Sequence, residues 1–309
     1  MINYSNLAYE IKRDFTNFSL KISKGLKRPQ KKFVHQMVYG ILAGNKLHLS
    51  EIARSLKESI TLKKTIDRLS RNLNALEDKN LIMCNYLDLV KHHVKDDYAI
   101  IIIDNSDIAK PASKKLEALS EIRDGSTGEI TLGYLTIEAA VLSENGKMPL
   151  PAYEKVFSAA ERGFISETHE NLCCLETLSE NFSPKCVRTF DRGFNANDYY
   201  RYFLKHGEHF VIRAKKNRNV IYHGNTCNIM DGAGRYKGNY CMDFKDKSSR
   251  EVHCKISCIP IRLCEFPDWE LVLTVVYGFG AEPMLLLSSL KMQEKKKLCH
   301  IIAKAYLLR

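Results

Sequence analysis

No apolar run in the 309-residue sequence is long enough to cross a membrane. A helical span needs about 20 nearly uninterrupted apolar residues. The longest candidate, Leu271 to Leu290, is broken by Glu282 and Pro283 and alternates as strands do. Met1 to Phe15 mixes acidic and basic residues and lacks the apolar core of a secretion signal, so no membrane partner is expected. Cysteine is sparse: ten residues are too few for a disulfide scaffold, and with no secretion signal they are expected as free thiols in a cytoplasm. Internal repeats and low-complexity tracts are absent. What is present, 45% hydrophobic residues with 13 Phe and 15 Tyr, excludes a disordered chain and suits one large core or two to three modest domains.

Among the cysteines, only His253, Cys254, Cys258 and Cys264 crowd together enough to test for metal binding. Their spacing is not the paired C-x-x-C of a structural zinc site. Cys254 and Cys258 fall in an alternating stretch, where they share one face of a strand instead of gripping an ion from a turn. They read as ordinary core or surface cysteines.

The charge is unevenly placed. The whole chain is formally +11, and residues 1–100 hold 18 Lys and Arg against 10 Asp and Glu, a net of +8. Residues 101–309 hold 29 against 26, a net of +3. A basic first third on a nearly balanced remainder suits a module that grips a polyanion joined to a working module, and equally a solvated basic face.

Residues 1–95 read as helical, because apolar positions recur at intervals of three and four. Leu49 to Leu56 forms a short helix with Ser50 as its N-cap. After a break at Glu58-Ser59, Thr61 caps a second helix with Leu62, Ile66, Leu69 and Leu73 on one stripe. Two short helices with a tight turn form the helix-turn-helix pattern, although no Gly marks the turn. Lys63, Lys64, Arg68 and Arg71 lie mostly off the stripe, where they could meet DNA or form the charged outside of a bundle.

Composition turns strongly β after Lys95-Asp96-Asp97. Tyr98 to Ile103 is a continuous apolar run, a strand buried on both faces, and it ends on Asp104. Thr131 to Leu142 alternates, Asn145-Gly146 is a hairpin signal, and Leu150 to Phe157 returns. A helix follows from Ser166 to Phe182. Cys186 to Phe190 is a short strand that ends on Asp191, Asn195 caps the next helix with Asp198 as its capping partner, and His209 to Ile212 is a fifth strand. Three antiparallel strands, then helix, strand, helix and strand, is the order of a ribonuclease-H-like mixed sheet with flanking helices. Residues 217–290, which carry four alternating stretches, read as an inserted β subdomain. Gln293 to Arg309 returns to helix with no stop signal. The expected fold class is α/β: residues 1–97 an all-α DNA-binding domain, 98–216 the first part of the core, 217–290 the insertion and 291–309 the start of a core helix that looks cut.

Asp104 and Asp191 each sit at the C-terminal end of a short apolar strand. If those strands are neighbours, the two carboxylates converge. Converging carboxylates repel unless a cation lies between them, and oxygen-only ligands suit Mg²⁺ or Mn²⁺. A pair of such ions about 3.5–4 Å apart serves phosphodiester chemistry. A lone strand-end Asp would more often cap a turn.

The strings around these residues resemble DDE transposases of bacterial insertion sequences, in the branch with a β-strand insertion before the last carboxylate. Asp104-Asn105-Ser106-Asp107-Ile108-Ala109-Lys110-Pro111 is similar to the first carboxylate motif, and Asp191-Arg192-Gly193-Phe194 to the second. Phe210-Val211-Ile212-Arg213 with the lysine pair Lys215-Lys216 looks like the strand after the second aspartate. Glu282-Pro283 and Leu285-Leu286-Leu287 look like the re-entry strand. Tyr306-Leu307-Leu308-Arg309 matches the start of the last motif, Tyr, two residues, Arg, three residues, Glu. The third carboxylate of that motif would fall four residues past Arg309. The resemblance covers residues 98–309, and the first 97 match only as a basic helical region.

The resemblance implies a metal-dependent enzyme that cuts and joins double-stranded DNA at transposon ends and targets. Asp104 would bridge two Mg²⁺ (or Mn²⁺) ions and Asp191 would hold one of them. Tyr306 and Arg309 would reach phosphates near the cut, and Lys110, Arg192, Arg213, Lys215 and Lys216 would contact the DNA. It further implies a homodimer in a synaptic complex, and a cytoplasmic bacterial protein associated with the nucleoid when bound to DNA. A second expectation stands beside it: a truncated, inactive chain that binds transposon ends and inhibits a full-length partner.

Overall fold

The computed structural model describes residues 4–94, 99–113, 115–142, 148–245, 251–278, 280, 282–302 and 305. These fall into two compact units, Met1–His92 and His93–Arg309. The composition shift at Lys95-Asp96-Asp97, Tyr98 and the Asn145-Gly146 turn lie outside the described residues.

The elements described in the first unit are all helical: α1 (Tyr4–Ile22), α2 (Arg28–Gly44), α3 (Leu49–Leu56), α4 (Leu62–Asn74) and α5 (Lys79–His92). Pro29 stands in the first turn of α2, where its missing N–H costs nothing. Phe33, Ile52, Ala53 and Leu69 form the small core of α2, α3 and α4. Ile22, Leu26 and Val34 form a second cluster, with Leu81, Ile82 and Leu89 of α5 packed against it. Helices α2 and α3 cross closely at Gly40, where a Cβ would meet Ile52 Cγ2 at 2.4 Å.

Two local expectations change. Helix α3 starts at Leu49 with His48 at the N-cap, so Ser50 lies inside the first turn. Of the α4 stripe, Leu69 is fully buried and Ile66 half-buried, while Leu62 and Leu73 stay exposed. Thr65 is buried instead, and its hydroxyl donates to Glu58 at 3.1 Å. No glycine is needed between α3 and α4 because Lys57 takes the left-handed conformation at φ 47°.

The second unit is built on one mixed sheet. Its strands are β1 (Ile100–Ala109), β2 (Ser120–Arg123), β3 (Ile130–Leu142), β4 (Pro149–Phe157), β5 (Val187–Phe190), β6 (His209–Arg213), β7 (Asn219–Tyr222), β8 (Asn225–Asn228), β9 (Tyr240–Lys245), β10 (Glu251–Leu263), β11 (Phe266–Tyr277) and β12 (Met284–Ser288). The helices are α6 (Glu167–Asn181), α7 (Asn197–His206), α8 (Ile229–Gly234) and α9 (Lys295–Ile302). The path through the sheet is β2-β3-β1-β5-β6-β12-β11-β10-β7-β8, with β4 paired to β3 and β9 to β10. Strand β1 is antiparallel to β3 and parallel to β5, and β5 is parallel to β6. The strands of residues 219–288 continue this sheet edge to edge, through β12 against β6 at Leu287 and Ile212.

Alternation assigns the two faces. On one, Phe190 and Phe210 meet Phe203 of α7 at ring distances of 5.3 and 5.1 Å. Helix α6 joins α7 there through Asn171 Nδ2, which donates to the Tyr199 hydroxyl at 2.9 Å. On the other, Ile100, Val187, Val211 and Leu286 pack with Leu298, Ile301 and Ile302 of α9 and with Ala305.

Candidate carboxylate site and basic cleft

Strand β1 does not stop at Asp104. It runs on to Ala109 because its pairing with β3 continues from Asp104 with Glu138 to Ala109 with Gly133. Asp104 is therefore a mid-strand residue, and its side chain is exposed. Strand β5 ends at Phe190, directly before its aspartate. Asp191 keeps an extended backbone, φ −83° and ψ −178°, and opens the short 3-10 turn Arg192–Phe194.

Register brings the two together. Ile103 of β1 pairs in parallel with Phe190 of β5, and each aspartate follows by one residue. Neighbouring strands lie about 4.8 Å apart, and register partners project to the same face. That face also carries Ile100 and Val187, four residues before Asp104 and Asp191, against which α9 packs. The last described helix thus packs on that face of the sheet, against residues four back from each aspartate. Thr189 pins β5 to β1 by donating its hydroxyl to the Ile101 carbonyl at 3.2 Å.

The same row continues on both sides. Glu138 of β3 and Glu154 of β4 extend it past Asp104. On the other side Arg213, one residue past the Phe190 and Ile212 pair, sets Nη1 3.3 Å from Asp191 Oδ1. Both of those side chains are part-exposed, at 35% and 43%. Arg213 therefore offsets the charge of Asp191 without sealing it from solvent. Glu138 and Glu154 were not singled out in the sequence, since their place in the row comes from strand pairing alone.

Basic residues border Asp191. A cleft of about 320 Å³ is lined by Arg192, Arg213, Lys215 and Lys216 together with Pro283 and Met284. Arg192, Lys215 and Lys216 are exposed, and Lys216 forms an ion pair with Glu282. Lys110 is exposed just past the end of β1, its backbone N–H donating to the Leu132 carbonyl.

Asn195 does not cap α7. The N-cap is Ala196, and the buried Asn195 Oδ1 accepts from the Tyr200 hydroxyl at 2.6 Å. His253 and Cys254 are adjacent on β10 and so project to opposite faces. Cys254 is buried, while His253 Nδ1 pairs with Asp243 Oδ1 at 2.6 Å. Tyr306 and Arg309 lie outside the described residues.

In the first unit, Lys63 and Lys64 at the start of α4 are exposed, as is Arg71, whose Nε donates to the Asp67 carbonyl. Arg68 is occupied differently. It binds Glu58 through Nη2 at 2.7 and 2.8 Å and Gln36 through Nη1 at 2.7 Å, tying α4 to α2 and to the turn between α3 and α4.

No known family model matches the sequence, and no curated protein matches it. Among solved structures the chain is similar to the piggyBac transposase, determined by cryo-electron microscopy as a synaptic complex with hairpin DNA. The TM-score is 0.46 and the identity 12%, over 89% of this chain and 57% of that one. The match thus spans little more than half the length of that protein.

Proposed function

We propose that the chain is a transposase-type protein that acts on the phosphodiester backbone of double-stranded DNA, with Asp104 and Asp191 as its carboxylate pair. The adjacency of these two residues on parallel neighbouring strands carries the reading. The strand order β4-β3-β1-β5-β6, antiparallel then parallel, supports a ribonuclease-H-like core. In the same reading residues 1–97 form a DNA-binding module and residues 217–290 an inserted β subdomain.

The donor set fits Mg²⁺ or Mn²⁺. Both groups are carboxylates and share a face, Asp104 is exposed and Asp191 part-exposed. Among the described residues no group of three or more His, Cys, Asp and Glu side chains could hold an ion unaided. Asp104 and Asp191 would therefore depend on water and substrate phosphate for the remaining ligands, as Mg²⁺ sites commonly do. A bound ion would supply Lewis-acid polarisation of a phosphoryl oxygen. The chain's own contribution is positioning. Asp104 is fixed by its pairing with Glu138 of β3, one residue past the last β1–β5 pair, and Asp191 opens the turn after β5. Arg213 offsets one negative charge, and with Arg192, Lys215 and Lys216 it draws the DNA backbone to the sheet edge.

Gel-shift and nicking assays in Mn²⁺, with duplexes that carry candidate transposon ends, test this. The expected result is binding and nicking by the intact chain, with nicking lost in Asp104→Ala and Asp191→Ala while binding stays. Binding without nicking by the unmodified chain would favour an inactive end-binding protein, and no DNA binding would overturn both readings. Synapsis of two ends by two copies belongs to the same proposal, and sedimentation with and without duplex ends tests it.

A further inference from the structure

We propose that a second cavity, next to the basic cleft, reads the edge of a DNA base and gives the protein sequence preference beside the carboxylate pair. The inference rests on the proposed DNA reading. The cavity, about 610 Å³, lies within the range that encloses a small ligand. Its lining is rich in amides: Asn195, Asn197, Asn217 and Asn219, together with Arg218 and Glu265. Lys215 and Asn217 line both this cavity and the basic cleft, so the two adjoin.

The floor of the cavity is locked. Arg218 Nη2 donates to the Asn195 carbonyl at 2.7 Å and Nη1 to Asn197 Oδ1 at 3.0 Å. Its guanidinium lies 4.9 Å from the centre of the Tyr200 ring and 3.8 Å from Glu265 Oε2. Burial alone would raise the Glu265 carboxyl, but hydrogen bonds from Asn197 and its own backbone and the Arg218 charge outweigh it and hold it below the usual range. Arg218 and Asn197 are thus committed to the shape of the cavity.

Asn217 and Asn219 differ, because both are exposed at the rim. A carboxamide offers one donor and one acceptor in a plane, the pattern that matches the N6 and N7 edge of adenine. A contact to phosphate carries no sequence information, whereas an amide that reaches a base edge discriminates among bases. A backbone phosphate held by Lys215 would bring its neighbouring base to Asn217 and Asn219.

The test is selection of duplexes with randomised base pairs by the full chain, repeated with the double variant Asn217→Ala, Asn219→Ala and with Lys215→Ala. The unmodified chain is expected to prefer one base at one or two adjacent positions by about tenfold. The asparagine variant should lose that preference by weakening its binding to the favoured sequence about tenfold, towards its affinity for the other sequences. Lys215→Ala should weaken binding to every sequence alike and lower the salt slope by about one. If the asparagine variant enriches the same bases as the unmodified chain, or if the unmodified chain binds DNA with no preference, the cavity does not read bases, and the phosphodiester proposal still stands. Absence of any DNA binding would overturn both proposals together. Asn217→Gln, Asn219→Gln guards against a folding artefact: it retains the amides and is expected to keep a preference, and loss of selectivity equal to that of the alanine variant would count against the inference.

Discussion

Asp104 and Asp191, 87 residues apart in sequence, stand side by side because Ile103 and Phe190 are parallel register partners one residue before each. Neither residue needs a local partner to reach this position; the pairing of β1 with β5 sets it. The pair makes a strong demand on charge, since adjacent carboxylates repel unless a cation offsets them.

That demand makes Arg213 a positioning residue for Asp191. Replacing Arg213 with Ala leaves Asp191 without its 3.3 Å partner. Nicking in Mn²⁺ is expected to fall at least tenfold through loss of positioning, while less Mn²⁺ is needed for half-maximal rate because a competing cation is gone. Arg213→Lys is expected to restore part of the loss. Unchanged metal dependence in Arg213→Ala would remove Arg213 from the site.

Arg188 and Glu208 form the most deeply buried ion pair among the described residues, 3.1 Å apart with side chains 0% and 4% exposed. Arg188 Nη1 also donates to the Cys186 carbonyl at 3.0 Å. Removing one partner strands a charge in the core, so Glu208→Gln is expected to cost about 3–5 kcal/mol in urea unfolding. The apolar double variant Arg188→Met, Glu208→Leu should recover most of that stability. A double variant as unstable as the single would mean that the pair contributes more than charge neutralisation.

Glu58 gives the helical unit an acid-sensitive contact. Burial raises its carboxyl, but hydrogen bonds from Arg68, Thr65 and Gln36 and the Arg68 charge overcome this and hold it below the ordinary value. A carboxylate depressed in the folded state adds stability above its unfolded value of about 4.3, and that stability is lost as pH falls through the folded value. Hydrogen exchange of α2–α4 amides should therefore accelerate as pH drops below about 4, beyond the intrinsic pH effect. Glu58→Gln should flatten that response, and an unchanged profile would contradict it.

The same contact separates two kinds of basic residue on α4. Arg68→Ala should lower the melting temperature of the helical unit, because Arg68 ties Glu58 to Gln36. Lys63→Ala with Lys64→Ala should leave melting unchanged and weaken DNA binding with a smaller salt dependence. A drop in DNA affinity without any thermal change in Arg68→Ala would reverse the two roles.

Gly40 is expected to tolerate no side chain. Its Cβ would come within 2.4 Å of Ile52 Cγ2 and 3.1 Å of Ile52 Cα, so Gly40→Ala should overpack the α2–α3 crossing by about 1–3 kcal/mol. Thermal unfolding measures this directly.

Much of the second unit is legible in the sequence because hydropathy marks its strands. The alternation of Thr131 to Leu142 gives β3 nearly to the residue, and the apolar run before Asp104 gives the first part of β1. What hydropathy misses is pairing. The apolar run ends at Ile103, yet β1 continues through polar residues because β3 pairs with it as far as Ala109. Strand β2, only four residues long and part-polar, carries too little pattern to be read. The aspartates can be proposed from sequence, but their shared row with Glu138, Glu154 and Arg213 depends on register across five strands. Arg68 shows the limit for charged residues: position on the helix marks it as outward, and only the fold reveals that Glu58 and Gln36 hold it.

The most direct measurement is Mn²⁺ binding to the full chain by electron paramagnetic resonance in the presence of duplex DNA, compared with Asp104→Asn and Asp191→Asn. The expected result is Mn²⁺ uptake by the unmodified chain and its loss, at least tenfold in affinity, in each variant with DNA binding intact. Equal Mn²⁺ binding by all three proteins would contradict the assignment of Asp104 and Asp191 as a metal-holding carboxylate pair.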